Sequence, residues 1–107
     1  MSNVVGITGS LTFDFEQMMN DAMRLRPESI EKVLNECKVV NTEALFSATH
    51  GCDYINNDTW FMCVNSSTNM GYYFPVRESE NRQDNYKRVK EGIAYFIGKG
   101  WQAYKIQ

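Results

Sequence analysis

The chain has 107 residues, 43% of them hydrophobic and 13% aromatic, which is more apolar than an intrinsically disordered chain. This length gives room for one domain with a core of its own. No apolar run approaches the roughly 20 residues that cross a bilayer, and residues 1–5 have neither the basic nor the apolar part of a secretory signal, so we expect a cytoplasmic protein with no membrane partner.

Charge is divided unevenly along the chain, although the formal net charge is only −2. Residues 1–80 carry 11 acidic and 5 basic side chains, whereas residues 81–107 carry 2 acidic and 6 basic side chains. Such an asymmetry can indicate a charged partner, but ordinary solvated charge on a helix is the simpler explanation. A sequence pI near 5.3 opposes tight nonspecific binding to nucleic acid.

The N-terminal part predicts a short strand over residues 3–7 and a helix over residues 14–25. Asp14 and Gln17 form a capping box at the start of this helix. Its apolar stripe comprises Phe15, Met18, Met19, Ala22 and Leu25. Residues 6–10 lie between the two elements, where backbone N–H groups can bind phosphate, but they lack the Lys of a P-loop and the third Gly of a dinucleotide fingerprint. We therefore expect a plain turn there.

A second helix is predicted over residues 27–37. Pro27 suits the first helical position because its φ is fixed and its missing N–H would have no partner there. The apolar positions recur at i, i+3, i+4 and i+7, and they are Ile30, Val33, Leu34 and Cys37. Cys37 should therefore point into the core.

The middle of the chain predicts an antiparallel meander. Residues 59–64 and 71–76 are rich in strand-forming residues, and the Asn- and Ser-rich segments before and between them suit turns. Residues 42–49 fit either a helix start or a strand, and we favour a strand for 45–49. Pro75 cannot donate to a ladder, so its strand should lie at an edge or end there.

The clearest helix is predicted over residues 84–98, with Asp84 as N-cap and Gly98 at its end. Its core stripe comprises Tyr86, Val89, Ile93, Phe96 and Ile97. Its polar side carries Lys87, Arg88, Glu91 and Tyr95. Gly92 in mid-helix predicts that another backbone approaches closely. A last strand follows over residues 101–106.

Together these elements predict a single α+β domain covering residues 1–107. An antiparallel sheet of about four strands, the meander within 45–76 and the strand 101–106, should pack against two N-terminal helices (14–25 and 27–37) and one C-terminal helix (84–98).

Residues suited to catalysis or metal binding are few. His50 and Cys52 are a base and a nucleophile close in sequence, but catalytic partners usually come from separate elements. Cys37, His50, Cys52 and Cys63 have the ligand types of a zinc site without the compact spacing of one, and three cysteines fit reduced thiols better than disulfides. We expect no catalytic residues, no metal and no cofactor, and therefore not an enzyme.

The function that these observations favour is binding to another macromolecule, and we expect the chain to inhibit or regulate a protein. Tyr and Arg are enriched where interfaces are strongest. The candidate partner-binding residues are Arg82, Lys87, Arg88, Lys90, Glu91, Tyr95, Tyr72 and Tyr73. Tyr95 stands among charges on the polar side of the last helix, where either a partner or the chain's own loop 77–83 would cover it.

Small inhibitors encoded by phages and other mobile elements, including anti-CRISPR proteins, and immunity proteins share this size and lack of catalytic motifs, although no motif here identifies either class. The alternative is nucleic-acid binding by the basic C-terminal helix, with Tyr72 or Tyr95 stacking on bases. A cysteine-dependent enzyme is the least favoured function. A homodimer could also form through Tyr72, Tyr73 and a sheet edge near Pro75.

Overall fold

The structure is a computed structural model that describes residues 22–55 and 59–106. Within these ranges the strands are β1 (Met23–Arg24), β2 (Lys38–Val39), β3 (Trp60–Asn65), β4 (Met70–Phe74) and β5 (Gln102–Ile106). The α-helices are α1 (Pro27–Glu36), α2 (Thr42–Leu45) and α3 (Arg82–Gly98), and a 3₁₀ helix spans Gly51–Tyr54. The predicted strand 3–7 and the helix residues 14–21 lie outside the described residues.

The strands form one antiparallel sheet in the order β1-β4-β3-β5-β2. Its central strand β3 is buried on both sides, because successive side chains point to opposite faces. Phe61 and Cys63 belong to the core beneath α3, whereas Met62 and Val64 belong to the core beneath α1. The sheet is therefore the middle layer of three, and the predicted α+β class with an antiparallel sheet is confirmed.

The larger core lies between α3 and the sheet. Val89, Ile93 and Phe96 of α3 are buried, as the predicted stripe requires. Gly92 is buried against the ring of Phe74, which occupies the space that a Cβ would need. The close neighbour that Gly92 predicts is thus an aromatic side chain rather than a backbone.

Helix α3 begins two residues earlier than predicted. Asn81, not Asp84, is its N-cap, since Asn81 Oδ1 accepts a hydrogen bond from the Asp84 N–H at 2.8 Å. Asn81 Nδ2 in turn donates to Asp84 Oδ2 at 3.1 Å. The two side chains therefore hold each other at the helix start.

The smaller core lies between α1 and the other face of the sheet. Ile30 and Val33 are buried against Met62 and Val64, and Cys37 is half-buried at the end of the helix, so the inward placement predicted from periodicity is confirmed for these three residues. It is wrong for Leu34, which is 39% exposed. Because α1 connects β1 to β2, which are the two edge strands, the chain passes from one edge of the sheet to the other over this face.

Two predicted segments have a different structure. Residues 23–24, which the prediction places in the helix 14–25, are not helical, because Met23 and Arg24 pair with Tyr73 and Tyr72 as an edge strand. Residues 45–49 are not a strand: Leu45 is the last residue of α2, and residues 46–49 belong to no helix or strand. Helix α2 begins before them because the Asn41 side chain accepts a hydrogen bond from the Ala44 N–H at 3.1 Å.

The other two strands of the predicted meander are confirmed as β3 and β4. Strand β4 ends at Phe74, directly before Pro75, as the missing N–H of proline requires. It is not an edge strand, since β1 pairs with it.

Candidate functional site

Four apolar side chains lie together on the sheet face that carries α1, and we call them the apolar corner: Met23, Trp60, Tyr73 and Ile106. Met23, Trp60 and Ile106 are exposed by 50%, 51% and 42%, and Tyr73 is half-buried. Met23 is the cross-strand partner of Tyr73, and Trp60 that of Ile106. The rings of Trp60 and Tyr73 lie 5.7 Å apart between centroids, so the four side chains form one continuous surface over β1, β4, β3 and β5.

The corner stays open because α1 covers only part of this face. Gly71 lets the helix approach closely, since Ile30 Cδ1 and Leu25 Cδ1 come within 2.8 and 2.9 Å of where its Cβ would be. Met62, two residues along β3 from Trp60, is still covered and only 5% exposed. Tyr73 packs against the core beneath α1 and marks where that cover ends.

An exposed, contiguous apolar surface of this kind is typical of a binding site. Trp and Tyr dominate the binding energy of most protein interfaces, and Met adapts its shape to a partner. The other large hydrophobic side chains that are exposed in the described part of the chain lie on different elements: Leu34 on α1, Val39 on β2 and Phe46 directly after α2.

Most of the corner was not predicted. Residues 60–64 are Trp, Phe, Met, Cys and Val, so both faces of β3 are apolar and the sequence pattern does not show which face is open. The sequence pattern predicts a helix at Met23 and a strand at Ile106, and it gives neither residue a function. Tyr73 alone was among the predicted partner-binding residues.

Several predicted residues on α3 are at the surface. Arg82, Lys87 and Glu91 are exposed, and Lys90 is half-buried with its Nζ 4.8 Å from the centroid of the Tyr86 ring. The cations do not form one basic surface, because Arg82 lies 3.9 Å from the carboxylate of Asp53 and Glu91 follows Lys87 by one turn.

Arg88 lies differently from its predicted place on the open polar side of the helix. Its side chain is only 8% exposed. Its Nε and Nη2 donate to Glu80 Oε1 at 3.1 and 2.9 Å, and Nη2 also donates to the Pro75 carbonyl at 2.6 Å. Arg88 therefore holds the chain's own loop between β4 and α3.

The predicted tyrosines lie on two faces of the sheet. Tyr72 stacks on Phe96 and Trp101 on the α3 side, with centroid distances of 5.4 and 6.0 Å. Tyr95 is half-buried, with its ring edge-on to Phe96 and Lys99 Nζ 5.4 Å from its centroid. Tyr73 lies on the opposite face, in the apolar corner.

His50 and Cys52 make separate contacts. His50 Nδ1 lies 3.7 Å from the carboxylate of Asp53, whereas the Cys52 thiol donates a weak hydrogen bond to the Arg82 carbonyl at 3.9 Å. Burial raises the pKa of the Cys63 thiol, which keeps it protonated. Among residues 22–55 and 59–106, no three His, Cys, Asp or Glu side chains are grouped so that they could hold a metal ion.

Comparisons of the chain with protein-family models, with curated proteins and with solved structures found no match. In the part of the chain that the structure describes, no helix combines the length and the apolar character needed to cross a membrane.

Proposed function

We propose that this chain binds another protein through the apolar corner, and that it inhibits or regulates that protein. The observation that carries the proposal is the exposure of Trp60 by 51% beside Tyr73, on a sheet whose other large aromatic side chains are covered by helices. Half-exposed Trp and Met side chains cost free energy in water, and a partner that covers them recovers it.

The described surface suits a partner protein better than nucleic acid, because the cations of α3 are not clustered. Phosphate binding needs clustered cations, but Arg88 is occupied by Glu80 and Pro75, and Arg82 lies near Asp53. The cations that stay exposed on α3 alternate with Asp84 and Glu91. We therefore place nucleic-acid binding second.

We further propose that the protein acts in the cytoplasm. Cys37, Cys52 and Cys63 are all free thiols. Free thiols persist in a reducing compartment, whereas secreted small domains usually pair theirs.

The experiment is the capture of proteins from the lysate of the source cells. The baits are the wild type and two variants, each with a single substitution. Trp60→Ser removes the centre of the corner, and Phe46→Ser removes a side chain that is 39% exposed on another element. We expect a partner that is retained by the wild type and by Phe46→Ser but lost with Trp60→Ser, because truncating a central Trp weakens binding roughly tenfold or more.

Circular dichroism of both variants checks that they are folded. Equal capture by the wild type and Trp60→Ser would refute binding through the corner. Capture that is released by nuclease would favour nucleic acid instead.

A further inference from the structure

The apolar surface of the corner continues across the sheet to its other edge. One row of cross-strand partners crosses all five strands on the face that carries α1, and it consists of Met23, Tyr73, Met62, Tyr104 and Val39. Val39, at the far end of this row, is 57% exposed, and Tyr104 is half-buried. We call the corner together with Tyr104 and Val39 the apolar band. It spans four strand spacings of about 4.8 Å, which is about 19 Å.

The apolar band contains no charged side chain, whereas the exposed sides of α1 and α3 carry several. In a two-fold symmetric contact both copies use the same surface patch, so a charged patch meets its own charge. Two apolar bands can therefore pack together without bringing like charges close to each other.

The band has enough apolar area for a small two-fold interface. Trp60 is 51% exposed, which leaves in water about half of the roughly 250 Å² that a tryptophan can bury. Together with Met23, Ile106 and Val39, the band leaves roughly 300–400 Å² in water. Two facing bands would cover roughly twice this area, and apolar atoms make up about 57% of a typical interface. The complete interface would then bury roughly 1,100–1,400 Å², which is the lower end of the range for specific contacts.

Helix α1 leaves room for this contact. It covers Met62 and Val64, which are 5% and 2% exposed, and leaves Trp60 open at the start of β3. The apolar band thus lies along one end of the sheet, beside the helix. A two-fold axis that runs along the band stacks the two bands, and each α1 then lies beyond the strand ends of the other sheet.

We infer that the apolar band pairs with the band of a second copy of this chain when no partner is bound, so that self-association and partner binding exclude each other. The dimer is weak because its interface is small, with a dissociation constant on the order of 100 µM. At about 1 µM nearly every chain is then a monomer with an open corner. The dimer is independent of the proposed function, whereas the competition rests on it.

The test is sedimentation velocity of the full chain from about 5 µM to about 1 mM, a range that brackets this dissociation constant. The mean mass should rise from 12.4 kDa toward twice that value. Val39→Glu places two carboxylates opposite each other across the two-fold axis, at the end of the band that lies outside the corner. We expect Val39→Glu and Trp60→Ser to raise the dissociation constant roughly tenfold or more, and Phe46→Ser, outside the band, to leave it unchanged. Circular dichroism checks that each variant is folded.

The captured partner, added at equal concentration, should replace the dimer by a complex with one copy of this chain. A chain that stays monomeric up to about 1 mM, or a dimer that neither band variant weakens, would overturn the dimer and leave the proposed function in place. A dimer that binds the partner without dissociating would overturn the competition. A dimer that depends on the band, in a chain that captures no partner, would instead count against the proposed function.

Discussion

Asn85 is the side chain that shapes the loop between β4 and α3. It is 2% exposed and uses both ends of its amide. Its Oδ1 accepts from the Arg77 N–H at 2.8 Å and from Arg88 Nη2 at 2.7 Å. Its Nδ2 donates to the carbonyls of Arg77, Glu80 and Asn81, at 2.8, 3.3 and 3.3 Å. An apolar residue of the same size could not fold this loop in the same way.

We predict that Asn85→Ala lowers the free energy of unfolding by about 2–4 kcal/mol, because Arg88 and the backbone groups of the loop each lose a buried hydrogen bond to the amide. Asn35→Ala is the matched control, since Asn35 is exposed on α1 and its loss should cost less than about 0.5 kcal/mol. Urea unfolding measures both. Equal losses in the two variants would show that the amide does not hold the loop.

Cys63 makes stability depend on pH in the alkaline range. Burial raises the pKa of its thiol, so the folded chain keeps a proton that the unfolded chain loses above about pH 8.5. Below the pKa of the unfolded chain, this thiol does not lower the free energy of unfolding. Above that pKa, the free energy of unfolding falls by at most about 1.4 kcal/mol per pH unit for one group.

Replacing Cys63 by Ala should therefore flatten the fall in unfolding free energy between about pH 8.5 and 10.5, because the titrating group is gone. Chemical unfolding at several pH values measures the slope. Parallel pH profiles for the wild type and Cys63→Ala would contradict this account of the buried thiol.

Helix α3 packs closely on the sheet at Gly92. Gly92 faces the ring of Phe74, whereas a Cβ at Gly98, near the end of the same helix, would meet no atom within 4 Å. The two glycines offer a direct comparison of packing with helix propensity.

We predict opposite effects of Ala at these two positions. Gly98→Ala should stabilise the protein by up to about 1 kcal/mol through helix propensity. Gly92→Ala should destabilise it by about 1–3 kcal/mol, because the overlap with Phe74 outweighs the same propensity gain. Thermal unfolding distinguishes them, and a higher Tm for both variants would contradict the packing of α3 on β4.

Elements with strong local signals were predictable from the sequence. Pro27 and the apolar stripe of α1 locate that helix to within one residue, and the stripe of α3 identifies its buried face. Elements that depend on distant partners were not predictable. β1 is two residues long and exists because β4 lies beside it, and α2 is one turn held by Asn41.

The candidate site, too, was predictable only where local residue type was enough. Residue type was enough to select Tyr73 as a partner-binding residue, but the open face around it depends on where α1 ends on the sheet, which no local pattern encodes. Arg88 is buried and not on the open side of α3 as predicted, because its partners, Glu80 and Pro75, come from a loop whose course the sequence does not show.

At the scale of the whole molecule, the two sheet faces differ. The α3 side holds Tyr72 and the larger core, whereas the α1 side leaves the apolar corner uncovered. The β2 edge carries the exposed Lys38, and a charged side chain on an edge strand disfavours the addition of a further strand. A homodimer through the edge near Pro75 stays a prediction, but β1 rather than β4 forms that edge.

The most direct test of the central claim is acrylamide quenching of Trp60 in a Trp101→Phe variant, which leaves one tryptophan in the chain. It is measured in the isolated protein and again in the complex with the captured partner. Trp60 should be readily quenched in the isolated protein and several-fold less so in the complex, because the partner covers the apolar corner. Quenching that is unchanged by the partner, or weak already in the isolated protein, would contradict the claim that the corner is the docking surface.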